Sequence, residues 1–157
     1  MPHLEPDTGP SFRLWPPLSV GAPLLAGLLV TWNVGDPWDG SGVATPGGWV
    51  LLGVFALWNG WALVVMGRRG TGLLPGRAST VILDRGPFGL SRNPLYVGLL
   101  VASAGAALLA GSFWAVLALP IEWALLRWGA VLPEERYLSA KFAGSYDDYR
   151  ARVRRWL

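Results

Sequence analysis

Gly48-Trp49-Val50-Leu51-Leu52-Gly53-Val54-Phe55-Ala56-Leu57-Trp58-Asn59-Gly60-Trp61-Ala62-Leu63-Val64-Val65-Met66 contains no charged residue. A helix that is apolar on every face has no side to offer to water. At 1.5 Å rise per residue this run reaches about 30 Å, the thickness of a bilayer's hydrocarbon core. The stretch predicts a membrane-spanning helix over 48–66.

Three further runs fit the same template. One covers 14–32, with Pro16 and Pro17 at its start and Pro23 inside. A second covers 95–111, directly after Pro94, and a third covers 112–132, where Pro120 is expected to introduce a kink. No small-residue cleavage site follows the first run, so it is read as retained structure rather than a signal. The expectation is one all-α polytopic membrane domain over 1–157, with about four spans, a cytoplasmic loop at 67–94 and a cytoplasmic tail at 133–157. Gly98, Ala102, Ala106 and Ala110 form a small-residue ridge at four-residue spacing, which permits close backbone approach in lipid. With only Gly111-Ser112 between them, the last two spans are expected to form a tight antiparallel hairpin.

Composition agrees. Hydrophobic residues make up 52% of the chain and charged residues 15%, against roughly 25% charged in a soluble domain. There is no cysteine and only one histidine, His3. Disulfides, thiolate zinc sites and cysteine nucleophiles are excluded, and no metal partner is expected.

The net charge of +3 suggests nucleic acid only until the charges are placed. The segment after the first span holds Asp36 and Asp39 and no cation. Arg68, Arg69, Arg77, Arg85 and Arg92 fall in the 67–94 loop. Arg136, Lys141, Arg150, Arg152, Arg154 and Arg155 fall in the tail, and Arg13 precedes the first span. Every basic residue but Arg127 therefore lies on one side, which puts both termini in the cytoplasm and leaves no nucleic-acid face. Trp15, Trp32, Trp49, Trp114 and Trp128 fall near span ends, where indoles favour the headgroup level. Trp58, Trp61 and Trp123 lie deeper and are expected to face other helices.

Beyond Pro133 the chain turns polar. Glu134 and Glu135 follow that proline as first-turn acids suited to a helix start. A break near Gly144 precedes a second helix with Tyr146, Tyr149, Val153 and Trp156 on one stripe. That pattern predicts an amphipathic helix against the inner leaflet.

The residues that carry chemistry lie in the loop and the early tail. The loop reads Thr80-Val81-Ile82-Leu83-Asp84-Arg85-Gly86-Pro87-Phe88-Gly89-Leu90-Ser91-Arg92-Asn93-Pro94-Leu95-Tyr96-Val97-Gly98; the tail supplies Glu134-Glu135, Leu138, Phe142, Tyr146, Tyr149, Val153 and Arg155. This ordered set, over roughly 47–157, resembles the isoprenylcysteine carboxyl methyltransferases and the related bacterial phospholipid methyltransferase-like membrane proteins. The shared pattern is Gly-Pro-aromatic, then Arg-His/Asn-Pro-x-Tyr-x-Gly. An acidic pair follows one helical hairpin later, with a Tyr-x-x-Tyr tail ending in Val-x-Arg.

The resemblance implies an integral-membrane, S-adenosylmethionine-dependent methyltransferase of a bacterial inner membrane, acting on a lipophilic or lipid-linked acceptor at a carboxylate. It places cofactor contacts on Thr80, Val81, Ile82, Leu83, Phe88, Arg92, Asn93, Pro94, Leu95, Tyr96 and Glu134, in a pocket roofed by the loop and closed by the tail. Asn93 stands where eukaryotic members have histidine, and still donates and accepts hydrogen bonds. Two departures stand out. The family's glycine after Phe142 is Ala143 here, and its substrate-facing arginine is Ala130. Arg127, one turn earlier, is expected to take over the anionic contact, since 127, 130, 131 and 134 share a face of a continuous helix. Pro133 would bend that helix, and Gly129, four residues back, removes one steric obstacle to the bend.

A carboxylate acceptor is already ionised at neutral pH and needs no base. For an amine or hydroxyl, Glu135 is the nearest base. Glu122, an ionisable group at depth, is expected to face a cavity or a partner. Two alternatives stay open: an NADPH-using membrane reductase of the sterol-reductase type, which shares an Arg-His-Pro-x-Tyr-like segment, and a non-catalytic protein of the same fold.

Overall fold

The structure, a computed structural model, describes residues 9–38, 44–70 and 79–157. His3, Asp39 and Arg77, used above, lie outside them. The regular structure among the described residues is helical, in the order α1 (Pro16–Val34), α2 (Ala44–Arg68), α3 (Pro87–Leu90), α4 (Pro94–Leu109), α5 (Phe113–Leu126), a wide turn at Arg127–Val131, and α6 (Leu132–Arg152). Three runs are long and apolar enough to cross a membrane: α1, α2 and the continuous stretch Phe113–Arg152. The shorter α4 is also apolar. The apolar part of the long stretch ends near Leu132, and α6 beyond it is polar.

Local chemistry sets the ends. α1, α3 and α4 each carry proline in the first turn, where the missing N–H is no loss and the fixed φ suits a helix. Gly111 turns the chain with φ +61°. The Ser112 side chain then caps α5 by accepting from the Ala115 N–H at 3.0 Å.

Packing corrects one expectation. α4 lies mainly against α2, and α1 mainly against α5, while α4 and α5 touch less. The glycines Gly98 and Gly105 of α4 serve the α2 contact. Gly105 and Gly48 face each other so closely that a Cβ on either would sit 2.9–3.0 Å from the other's carbonyl oxygen, and Gly98 makes room for Asn59. On the α1–α5 side, a Cβ at Gly27 would lie 2.5 Å from the Ala115 Cα. The α4–α5 hairpin is bridged instead by a polar pair: Ser103 Oγ donates to Glu122 Oε1 at 2.8 Å, both groups buried. Among the described residues, α1 and α2 do not pack on each other.

Four of the five tryptophans expected at span ends (Trp15, Trp32, Trp49 and Trp128) are exposed. Trp58 does face another helix, donating to the Pro94 carbonyl at 2.8 Å. Trp61 and Trp123 are instead partly exposed.

The end opposite the loop is tied at Asp36. Its carboxylate accepts from the Thr31 hydroxyl and from the Trp38 and Phe113 N–H groups, each at 2.9 Å, joining the end of α1 to the start of α5. Desolvation opposes ionisation there, but the combined donors hold its pKa below the ordinary value.

The bend at Pro133 takes a specific form. Arg127–Val131 is one π turn, with the Leu132 N–H bonded to the Arg127 carbonyl. Proline has no N–H to give to the carbonyl four residues back, so the Gly129 oxygen is available. The N-terminal arm uses it: Arg13 N and Leu14 N donate to it at 2.9 and 3.3 Å. A Cβ at Gly129 would come within 2.9 Å of the Leu14 Cβ, so glycine is what lets the arm dock. The wide turn shifts the following face by about one residue, roughly 100°.

α6 is kinked at Ala143, whose φ is +41° and ψ −125°. The break expected near Gly144 thus falls one residue earlier, at the position where the resembling family carries glycine. The aromatic stripe beyond it turns onto the protein, not onto a leaflet. Tyr146, Tyr149 and Val153 are buried with Ile82, Leu138 and Phe142, and Trp156 packs against the core around Tyr96, Leu126 and Val131.

Candidate active site

Asn93 ends the loop, and Pro94 then starts α4 with its first turn beside Trp58 of α2. This fixes Tyr96 on the inner side of α4, and the π turn brings Glu134 to face it. The Tyr96 hydroxyl donates to Glu134 Oε2 at 2.7 Å. Around this pair lies a cavity of about 300 Å³, at the lower end of the range for small-molecule sites. Its lining includes Val81, Ile82, Leu83, Phe88, Arg92, Asn93, Pro94, Leu95, Tyr96 and Glu134. Ten of the residues singled out from the sequence thus meet in one hollow.

Three others do not line it. Thr80 is exposed, its hydroxyl directed to the Gly70 carbonyl at 3.4 Å. The Arg127 guanidinium lies over the Trp123 ring, 5.4 Å from its centre; the π turn separates its face from that of Glu134. Glu135 lies behind the cavity wall in an ion-pair network. Arg155 Nε and Nη2 donate to its two oxygens at 3.0 and 2.8 Å, and Arg92 Nη2 lies 3.2 Å from Oε1. With both oxygens turned to guanidinium donors behind the wall, this carboxylate presents no atom to the cavity.

The C-terminal segment is strapped across the loop by its backbone. The Arg92 N–H donates to the Arg154 carbonyl at 2.9 Å. The Arg155 carbonyl accepts from Asn93 Nδ2 at 2.9 Å and from Ser91 Oγ at 3.3 Å. Asn93 is thereby fixed in the wall. Tyr149 braces the other side of the loop, donating to the Phe88 carbonyl at 2.6 Å. Tyr146 and Tyr149 also line the cavity; burial is the main cause that pushes the Tyr146 phenol up to about 12.

Electrostatically the hollow is uneven. Burial raises the Glu134 pKa above the ordinary carboxylate value; the Tyr96 hydroxyl opposes the shift and Glu135 adds to it. Arg155 is held firmly charged, chiefly by its bond to Glu135. Among the described residues, Arg92 Nε and Nη1 are buried with no hydrogen-bond partner, as is Asn59 Oδ1. Asn59, Leu63 and Met66 of α2, with Pro10, Phe12, Pro16 and Pro17 before and within α1, complete the lining. Sequence reasoning passed over these residues, because nothing in a hydrophobic run marks which side faces a hollow. The polar Asn59 was the one available signal. Among the described residues no cluster of His, Cys, Asp or Glu is suited to a metal ion.

No curated protein and no solved structure matches the chain. The sequence profile of the phospholipid methyltransferase family matches residues 44–145, a range that includes α2, the loop, the Tyr96–Glu134 pair and most of α6. The match lends no support to the reductase alternative. Spanning helices, the hollow at their loop end and this match agree: the chain is a membrane-embedded member of the phospholipid methyltransferase family.

Proposed function

We propose that the protein transfers a methyl group from S-adenosylmethionine to a lipophilic acceptor drawn from the bilayer. The observation that carries this reading is the convergence of Val81, Ile82, Leu83, Phe88, Arg92–Tyr96 and Glu134 on one cavity of about 300 Å³.

The lining suits the cofactor's chemistry. Val81, Ile82, Leu83, Phe88 and Leu95 offer apolar walls for a nucleobase and a methyl-bearing sulfur. The Glu134 carboxylate, oriented by Tyr96 at 2.7 Å, accepts from ribose hydroxyls or an ammonium group. Arg92 offers buried donors without partners. When bound, the cofactor supplies a methyl group already activated on a sulfonium.

The chain's task is then to orient the acceptor and exclude water, and orientation alone contributes roughly 7–11 kcal/mol in well-aligned reactions. The strap of Arg154 and Arg155 over Ser91–Asn93 and the Tyr149 brace seal the polar side. On the membrane side α1 and α2 do not pack together, and Leu63, which lines the cavity, is 43% exposed. A lipid acceptor reaches the site through this gap. A carboxylate acceptor requires no base. An amine acceptor must lose a proton, and Glu134, which faces the cavity, is the group placed to receive it rather than Glu135.

We read α4 as a fourth span and the loop side, with both termini, as cytoplasmic, because the cations concentrate there. Incubation of the purified protein with methyl-labelled cofactor and a lipid extract tests the proposal. Label should appear in an organic-soluble product and vanish in Glu134→Ala; absence of labelled lipid under conditions where the cofactor binds would reject it.

A further inference from the structure

Arg92 is the one cation among the described residues that line the cavity, and its side chain is only 9% exposed. Nη2 is occupied by Glu135 at 3.2 Å, while Nε and Nη1 are buried without partners. A buried guanidinium donor left unpaired is costly, because it has given up water and gained nothing in return. The local charge is also unbalanced: Arg92 and Arg155 share the single carboxylate of Glu135. The neighbouring Glu134 is committed to the Tyr96 hydroxyl.

We infer that Arg92 is an anion-holding residue: its spare N–H groups are reserved for a carboxylate or phosphate of the bound ligand, and Glu135 and Arg155 aim it. This rests on the reading that the cavity binds the cofactor and its acceptor. The side chain is held at both ends. Its backbone N–H donates to the Arg154 carbonyl at 2.9 Å, and Glu135, which sets the guanidinium plane, is itself gripped by both Arg155 donors at 2.8 and 3.0 Å. Such a fixed group loses little entropy on binding an anion, and guanidinium geometry matches both carboxylate and phosphate. Glu135 and Arg155 thus act as positioning residues through Arg92. The anion has two possible sources: the carboxylate on the amino-acid end of the cofactor, and the phosphate of a lipid acceptor.

A selectivity measurement separates this role from a merely structural ion pair. Binding of S-adenosylhomocysteine is compared with binding of its analogue lacking the carboxylate, and competition by dihexanoyl phosphatidic acid with competition by dihexanoylglycerol. Wild type, Arg92→Gln and Arg92→Lys are measured in detergent. The wild type should prefer the anionic member of one pair by about tenfold to a hundredfold, the value of a charge-assisted contact. Arg92→Gln should bring that preference to within about twofold, and Arg92→Lys, which retains the charge beside Glu135, should recover part of it. Lost preference in the first pair assigns the carboxylate; in the second, the phosphate. Both preferences unchanged in Arg92→Gln, or in the equally uncharged Arg92→Met measured the same way if the glutamine variant does not fold, overturn the inference and leave the proposed function standing. Failure of S-adenosylhomocysteine itself to bind wild type would instead remove the proposed function, and the inference with it.

Discussion

Replacing Glu135 by glutamine separates two roles that sequence and structure assign differently. As a general base, Glu135 would be dispensable for folding and needed for turnover with an amine or hydroxyl acceptor. In the structure it is a strut: its side chain is 10% exposed and pairs with Arg155 at 2.8 Å and Arg92 at 3.2 Å. Glutamine keeps the shape and removes the charge, leaving two guanidiniums in low dielectric without a counter-ion. Breaking a buried pair by removing one partner costs about 3–5 kcal/mol. Because the Arg155 side chain is 27% exposed, water recovers part of the loss, and about 3 kcal/mol is expected. That corresponds to a fall of roughly 6–12 °C in apparent Tm for a chain of this size. If the disordered strap must be reordered by the ligand, cofactor affinity falls as well, by up to roughly a hundredfold. Thermal unfolding in detergent, with and without S-adenosylhomocysteine, measures both. A variant with wild-type Tm and wild-type affinity but a collapsed kcat would refute the strut and restore the base.

Three further substitutions probe separate elements. Ala143→Gly relieves a backbone at φ +41° that L side chains disfavour, and should stabilise the protein by about 1 kcal/mol, seen as a higher Tm. Arg127→Ala should leave the acceptor Michaelis constant unchanged, because this side chain stacks on Trp123 away from the cavity; a rise of tenfold or more would return Arg127 to the substrate. Asp36→Asn tests acid stability. The folded pKa of Asp36 is depressed, so its contribution is present above the unfolded value and lost as pH falls through the folded one. The wild type should therefore lose Tm below about pH 4, and the variant should show a flatter acid limb from a lower starting point.

The spans were legible because a bilayer demands long uncharged runs, and 48–66 lies wholly within α2. The loop end of α4 was legible through Pro94, and the turn before α5 through Gly111-Ser112. Helix partnership was not. The glycines of α4 advertise a close neighbour but cannot say which, and Gly105 meets Gly48 of α2 rather than α5. The placement of Arg127 failed for a related reason. A face drawn at 100° per residue assumes an unbroken helix, whereas Pro133 and the docking of Arg13 and Leu14 on the Gly129 carbonyl favour a π turn. The strap of Arg154 and Arg155 on Ser91–Asn93 is made largely through backbone carbonyls, which any residue supplies. The Tyr-x-x-Tyr and Val-x-Arg pattern marked the tail but not its contacts.

Hydrogen–deuterium exchange with and without S-adenosylhomocysteine tests most directly whether the loop and the start of α6 form one ligand chamber. Ligand should slow exchange together in 81–96, 132–138 and 146–155, while the Asp36 end stays unchanged. Saturating ligand that protects none of these three segments, or protects only the α1–α5 end, would contradict the account.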